Sequence, residues 1–337
     1  MNILFTCAGR RNYLINYFKE ALDGNGQVLA ADMDLTAPAL IDADTAIKVS
    51  NIYSNNYISE IITICKQHKV DAIISLNDLE LPILAANKSK FTELGIQVIV
   101  SDPEVIDIAF DKLKTHEFLL SIGLNSPKTF ISLHEAKKAI DKGELSFPLI
   151  VKPRWGSASI GLDFPESLEE LELAYKLQTI KLKKSILNTA SETDLEHAIL
   201  IQESLQGDEY GLDIVNDFNT NYYGTFAKKK LKMRSGETDK AISIIDDRFT
   251  EIGKKISTNL KHIGNLDCDV FLVNDTPFVL ELNPRFGGGY PFSHEAGVNV
   301  VSIYIEWLKG NSNIQHFNNY KADVLCSKCD RILRIKQ

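Results

Sequence analysis

CDVFLVNDTPFVLELNPRFGGG, residues 268–289, decides the reading of this chain. Residues 270–273 and 278–282 are apolar runs, and Asn274-Asp275-Thr276-Pro277 between them carries turn residues, which is the pattern of a β-hairpin. Asp269 would start one strand and Glu281 end the other, so pairing brings the two carboxylates side by side. Side chains alternate along a strand, so Glu281 and Asn283 share a face while Leu282 points away. Two carboxylates and an amide oxygen on one face suit a hard divalent cation such as Mg²⁺, which is held by a few carboxylates together with substrate phosphates. Arg285 adds a planar fork of donors matched to phosphate oxygens. The competing reading is a hairpin with solvated acids at its ends.

The 337 residues, 44% apolar and 24% charged, describe an ordinary globular chain with room for two or three structural units. No apolar run reaches the roughly 20 residues of a membrane span. The start MNILFTCAGRR reads as a first strand and lacks a signal-peptide pattern, so the expected compartment is the cytoplasm. Five cysteines fit a reducing compartment, and the lone Cys326–Cys329 CxxC lacks the further ligands of a zinc site. A net charge of −8 argues against nonspecific nucleic-acid binding, although local Lys and Arg clusters can still hold an anionic substrate.

Residues 1–110 alternate strand and helix patterns: strands at 2–6, 27–31, 72–76 and 97–100, with helices at 12–22, 56–68 and 79–94. That order predicts a parallel sheet covered by helices on both faces. Ligands sit beyond the carboxyl ends of such strands, which points to residues 7–11, Asp32 and residues 77–80. AGRR stands where a dinucleotide site would want GxGxxG, so an NAD-type domain is not expected. Lys112 opens a helix at 111–122, and Lys152 interrupts the buried-strand pattern FPLIVKP, where an ammonium needs a partner or an exit to water. The following loop holds Gly156, Ser157, Ser159 and Gly161, whose backbone N–H groups could close over phosphate. A strand at 198–202 runs into a hinge-like turn at 203–205, and residues 210–215 and 222–227 read as paired strands. The basic segment 228–240, KKKLKMRSGETDK, is either a mobile loop or part of an anionic-substrate site. Helices are expected at 165–184, 247–260 and 300–308, and a final strand in ADVLCSKCDRILRI.

The ordered set resembles the ATP-grasp superfamily: a helix-opening lysine, a strand lysine before a Gly/Ser loop, QESLxGxEY, then the D…ExNxR hairpin. Within it the chain is most similar to the carbamoyl-phosphate synthase large chain-like and biotin carboxylase-like branch. The fold class implied is α/β and α+β: a Rossmann-like parallel-sheet domain at 1–110, then a two-lobed ATP-grasp domain at 111–310. The lid-bearing lobe would span about 115–205, with 311–337 packing on the grasp as a strand and tail. Residue by residue, the resemblance implies that Lys112 and Lys152 contact ATP phosphates, Lys152 also lying near the adenine edge. Gly156, Ser157, Ser159 and Gly161 would form the lid, Glu203 and Leu205 would meet adenine, and Glu209 the ribose. Asp269 and Glu281 would hold Mg²⁺ (or Mn²⁺), Glu281 bridging two ions and Asn283 completing the second. Arg285, with Asn283 and Lys152 as catalytic partners, would contact the γ-phosphate or an acyl phosphate formed from it.

That set implies an ATP-dependent ligase joining a small-molecule carboxylate to an amine, with no nucleic-acid or membrane partner; similar enzymes are commonly homodimers. The alternatives are an enzyme forming carboxyphosphate or carbamoyl phosphate, and a non-catalytic nucleotide sensor. The lid is less glycine-rich than in the biotin carboxylase-like relatives. The expectation against carbamoyl phosphate synthesis rests on the lack of a second synthetase half, a glutaminase domain or a biotin-carrier segment in this chain. FGGGYPFSHEAG after Arg285 would shape the acceptor site, with His294 and Glu295 either placing substrate or simply starting a helix. From the first domain, Arg10, Arg11, Asp32 or Glu80 would contact acceptor, each with an equally plain structural reading.

Overall fold

The computed structural model describes residues 1–156 and 161–335. A five-stranded parallel sheet, in the order β3-β2-β1-β4-β5, forms from β1 (Asn2–Thr6), β2 (Gln27–Asp32), β3 (Thr45–Lys48), β4 (Ala72–Ser75) and β5 (Gln97–Ile99). Period-2 alternation assigns its faces. Ile3, Phe5, Val28, Ala30 and Ile74 pack on one side with Leu14, Ile15 and Phe18 of the helix Asn12–Leu22. Leu4, Leu29, Ala31 and Ile73 pack on the other with the helices Tyr57–His68 and Leu81–Thr92. The sequence reading passed over the helix Pro38–Asp42 and the edge strand β3, because five- and four-residue elements carry too little periodicity to register.

A second, three-stranded sheet forms from β6 (Thr129–Phe130), β7 (Leu149–Pro153) and β8 (Ile199–Glu203), in the order β6-β8-β7. The third and larger sheet is six-stranded, in the order β13-β12-β9-β10-β11-β14. Its strands are β9 (Asp208–Asn216), β10 (Tyr222–Arg234), β11 (Glu237–Ile244), β12 (Asn265–Val273), β13 (Thr276–Asn283) and β14 (Leu325–Ser327). Of the expected C-terminal strand only Leu325–Ser327 is formed, paired antiparallel with β11. Leu212, Ile214, Leu266, Cys268, Val270 and Leu282 bury one face of this sheet against Phe249, Ile252, Ile256 and Leu260 of the helix Asp247–Leu260.

Two features join these parts. The helix Val300–Leu308 is apolar on nearly every side, and its Val300, Val301, Ile303 and Tyr304 share one core with Phe5 and Phe18 of the parallel-sheet unit and with Phe226, Phe286 and Tyr290. Asp111, the N-cap of the helix Lys112–Ser121, accepts from Leu113 N at 3.0 Å and is gripped by Arg154, Nε and Nη2 both at 2.7 Å. With the Asp111 side chain 2% and Arg154 10% exposed, the pair is desolvated. Asp111→Ala is expected to cost about 3 kcal/mol by removing the helix cap and leaving the largely buried guanidinium with only the partly exposed Asp194, 3.1 Å from Nη1. The measurement is the urea midpoint at unchanged m-value, and an unmoved midpoint would mean that the fork adds nothing.

Candidate active site

The residue pattern sets the hairpin geometry. Asn274 and Asp275, at φ 47° and 62°, form a two-residue turn of the left-handed kind whose twist matches the flanking strands. That turn sets the pairing from Val273–Thr276 to Val270–Val279, and a β-bulge that leaves Leu280 as the extra residue then shifts the register by one, so that Asp269 lies directly opposite Glu281 and Asp267 opposite Asn283. β12 starts before Asp269, so Asp267 joins the same face; the alternation of Asp267 and Asp269 with Leu266, Cys268 and Val270 is the signal that could have shown it.

The neighbouring strands add to this face by the same alternation. Tyr210, Leu212 and Ile214 of β9 enter the core, while Glu209, Gly211 and Asp213 turn toward the hairpin acids. The segment 228–240 is neither a loop nor uniformly solvated: it is most of β10, a turn at Ser235-Gly236, and the start of β11. Alternate lysines therefore point inward. Lys228 Nζ lies 2.6 Å from Asp213 Oδ2, and Lys230 Nζ bridges Glu209 Oε1 at 2.7 Å and Asp269 Oδ1 at 2.6 Å. Lys229, between them, reaches the exposed Asp208 instead. Gly211 is where the two stems cross: a Cβ there would sit 3.2 Å from Lys228 Cε and 3.4 Å from Lys230 Cε. Burial by itself would lower the Lys230 ammonium, but Asp269 and Glu209 outweigh it and raise it. Burial pushes the Asp269 and Asp267 carboxyls up; Lys230 opposes this at Asp269 and Arg285 at Asp267.

The other expected residues converge on the same cavity, which has a volume of about 950 Å³ and is lined by Lys112, Lys152, Gly156, Glu203, Leu205, Glu209, Asp269, Glu281, Asn283 and Arg285. Lys112 donates to Gly156 O and lies 3.7 Å from Glu281 Oε1. Lys152 is buried and donates to Gln202 Oε1 at 2.7 Å across the β7–β8 pair. Gly156, at φ 113°, packs so closely on Leu187 that a Cβ would meet Cδ2 at 2.8 Å, and Gly161 has φ 73°. Ser157 and Ser159 lie outside the described residues. Glu203 Oε2 accepts from Lys128 N at 3.2 Å, which ties the turn after β8 to the segment before β6. Arg285 stands between Asp78, at 2.8 Å from Nη2, and Asp267, at 3.2 Å from Nη1, while its buried Nε has no hydrogen-bond partner among the described residues.

Not every expected contact reaches the cavity. His294 stacks on Tyr17 with centroids 3.7 Å apart and Glu295 accepts from Tyr17 OH at 3.0 Å, so both tie the grasp to the first helix. Asp32 Oδ2 accepts from Gly9 N at 2.9 Å and braces the turn after β1. Glu80 is fully buried, accepting from Thr6 Oγ1 at 2.8 Å and from Ser75 and Tyr57 hydroxyls. Arg10 and Arg11 do line the cavity.

A divalent cation fits this donor set. Lys230 takes only Oδ1 of Asp269 and Lys112 approaches only Oε1 of Glu281, so each carboxylate keeps a second oxygen without a hydrogen bond or ion pair among the described residues. Among the described residues no three His, Cys, Asp or Glu side chains surround a single point, so the amide oxygen of Asn283 is needed to complete the donors.

Residues 3–99 match a family model for the PylC-like N-terminal domain, and residues 196–330 match one for "ATP-grasp in the biosynthetic pathway with Ter operon". The second match spans Glu209, the inward lysines and the whole hairpin. The chain is an ATP-grasp protein. The arginine-specific carbamoyl phosphate synthase large chain of Bacillus subtilis (strain 168) is 21% identical over 261 residues, 75% of this chain and 24% of that one. The chain thus spans about a quarter of the length of the curated relatives it matches. Among solved structures, the biotin carboxylase–β,γ-ATP complex from Campylobacter jejuni aligns with a TM-score of 0.72 at 17% identity, covering 92% of this chain and 71% of that one. An L-amino acid ligase from Bacillus licheniformis aligns with a TM-score of 0.64 at 19% identity, covering 91% and 74%. These likenesses show the ATP-grasp fold. Among the described residues no helix is long and apolar enough to cross a membrane.

Burial and the nearby Lys112 lower the Lys152 ammonium from 10.5 to about 8. Between those two values the unfolded chain binds more protons than the folded one, so stability rises with pH across that window. At neutral pH the buried charge costs on the order of 3 kcal/mol. Lys152→Met is expected to remove the rise between pH 8 and 10.5, measured by urea unfolding at several pH values. A slope unchanged by the substitution would show that another group is responsible.

Proposed function

We propose that this ATP-grasp protein is an ATP- and Mg²⁺-dependent ligase that joins a carboxylate to an amine and releases ADP and phosphate. The observation that carries the reading is the shared face of Asp269, Glu281 and Asn283, confronted across one cavity by Lys112, Lys152 and Arg285. The set contains cations and oxygen donors for a polyphosphate and needs no nucleophilic side chain, as expected where catalysis is positioning and charge neutralisation. The likeness to an L-amino acid ligase, which the fold shares, agrees with it.

In this reading Glu203 and Leu205 border the adenine, Glu209 faces the ribose, and Lys112 and Lys152 reach the phosphates. Asp269, Glu281 and Asn283 would hold two magnesium ions (manganese being the substitute), Glu281 shared between them. The ions would screen and orient the phosphate oxygens when bound. Arg285, held by Asp78 and Asp267, would contact the transferred phosphoryl group. The substrate carboxylate attacks the γ-phosphorus, the bond to the β-bridging oxygen breaks, and ADP departs from the acyl phosphate. The amine then attacks the acyl carbon, phosphate leaves, and the amine loses a proton. The lid proposed between Gly156 and Gly161, whose inner residues lie outside the described ones, would keep water from the acyl phosphate. The active assembly is proposed to be a homodimer and its compartment the cytoplasm; a biotin carboxylase domain of the same fold is described as a dimer with MgADP.

The test is ADP release with amino acids offered in pairs, with hydroxylamine trapping the acyl phosphate as a hydroxamate. Glu281→Ala is expected to lower that activity by at least about 100-fold, consistent with loss of a few kcal/mol of phosphoryl-transfer stabilisation. Robust turnover by that variant overturns the metal assignment, and ADP release driven by bicarbonate alone would place the reaction with carboxyphosphate formation.

A further inference from the structure

The turn after β1, the start of β11 and the segment after β14 meet at one end of the cavity, and the phosphate chemistry leaves their charges unused. Arg11 Nη1 pairs with Glu237 Oε1, while Lys328 Nζ lies 3.1 Å from Glu237 Oε2. One carboxylate thus serves two cations. Burial would raise the Glu237 carboxyl, but Arg11 and then Lys328 outweigh it and hold it at about 2. Arg10 lines the same cavity and makes no ion pair or side-chain hydrogen bond among the described residues. The charges around them balance: Arg285 serves both Asp78 and Asp267, and Arg234 both Asp330 and Asp239, so what this end offers a ligand is the guanidinium of Arg10, which has no ion pair among the described residues, beside that of Arg11.

The two arginines are also carried on a fixed turn. Cys7 and Gly9, at φ 49° and 52°, turn the chain sharply, and Asp32 accepts from Gly9 N, so the two arginines sit on a braced turn. Tyr13 OH donates to Gly287 O at 3.1 Å, fixing the glycine loop after Arg285 against the same unit. Gly288 and Gly289 line the cavity, and a Cβ at Gly288 would sit 3.2 Å from the Glu237 carboxyl carbon. Guanidinium forks on a rigid turn, in a cleft that focuses their field, bind carboxylate or phosphate oxygens.

Building on the ligase reading, we infer that the acceptor carries a second anionic group, a carboxylate or a phosphate, bound by Arg10 and Arg11 while the carboxylate to be activated faces Arg285. Lys328 stays behind as the counter-charge that keeps Glu237 ionised and turned aside.

The test is calorimetric titration of the full chain with succinate, phosphonoacetate and the mono-anion propionate, each with and without saturating MgADP. At least one dianion is expected to bind about 10-fold more tightly than propionate. Succinate preferred over phosphonoacetate identifies a carboxylate, and the reverse order a phosphate. Arg10→Ala, which removes an exposed side chain without partners, and Arg11→Ala are each expected to reduce that preference several-fold while leaving MgADP affinity within about twofold. Equal binding of dianions and propionate, no dianion binding, or a preference intact in both variants overturns the inference. The ligase reading fails separately, through absence of MgADP binding or of hydroxamate formation.

Discussion

Asp269 and Glu281 face each other across one rung of an antiparallel pair, held there by a tight turn and by the one-residue shift of a β-bulge beside Asp269. Like charges in that position repel, and burial raises the cost of ionising them. The surrounding structure answers with cations of fixed reach. Lys230 crosses from β10 to Asp269, Lys112 approaches Glu281 from a helix start, and Lys152 adds a third ammonium at the expense of its own ionisation. The polar face of the larger sheet can therefore be read as one electrostatic problem with its solution.

The same sheet shows how a strand separates chemistry from stability. On β9 and β12, alternate residues supply the apolar floor against the helix Asp247–Leu260, and the residues between them supply Glu209, Asp213, Asp267 and Asp269. Gly211 has no side chain at the point where the Lys228 and Lys230 stems pass, and that absence lets the two lysines reach acids on different strands. Replacing any one of these charges leaves a buried partner exposed to the low dielectric, which makes the layout hard to alter piecemeal.

Arg285 connects this face to the parallel-sheet unit through Asp78, and the connection is rigid because the two units share a core. The helix Val300–Leu308 packs into both, and Tyr17 stacks on His294. The loops after β1 and β4 are thus held against the cavity with little freedom to drift.

The sequence by itself determined the alternation of strands and helices in the first unit, the hairpin, and the shared face of Glu281 and Asn283, while the bulge that sets Asp269 opposite Glu281, and the place of Asp267 beside them, came only with the tertiary structure. Period and turn chemistry are local, and Asn274-Asp275 flanked by apolar runs needs no distant partner to be read. Lys112, Lys152, Glu203, Glu209 and Arg285 were legible through their order along the chain, and the structure brings them to one cavity. Only the tertiary structure decided the rest. Residues 228–240 look basic and loop-like because a lysine every second residue reads as polar throughout, and it takes the acids of β9 and β12 to show which lysines are buried. Asp32 and Glu80 became braces, and Arg10 and Arg11 cavity walls, because hydrogen-bond partners many residues away settle what a polar side chain is for. Charge pairing across a fold depends on distance in space, and spacing along the chain carries no record of it.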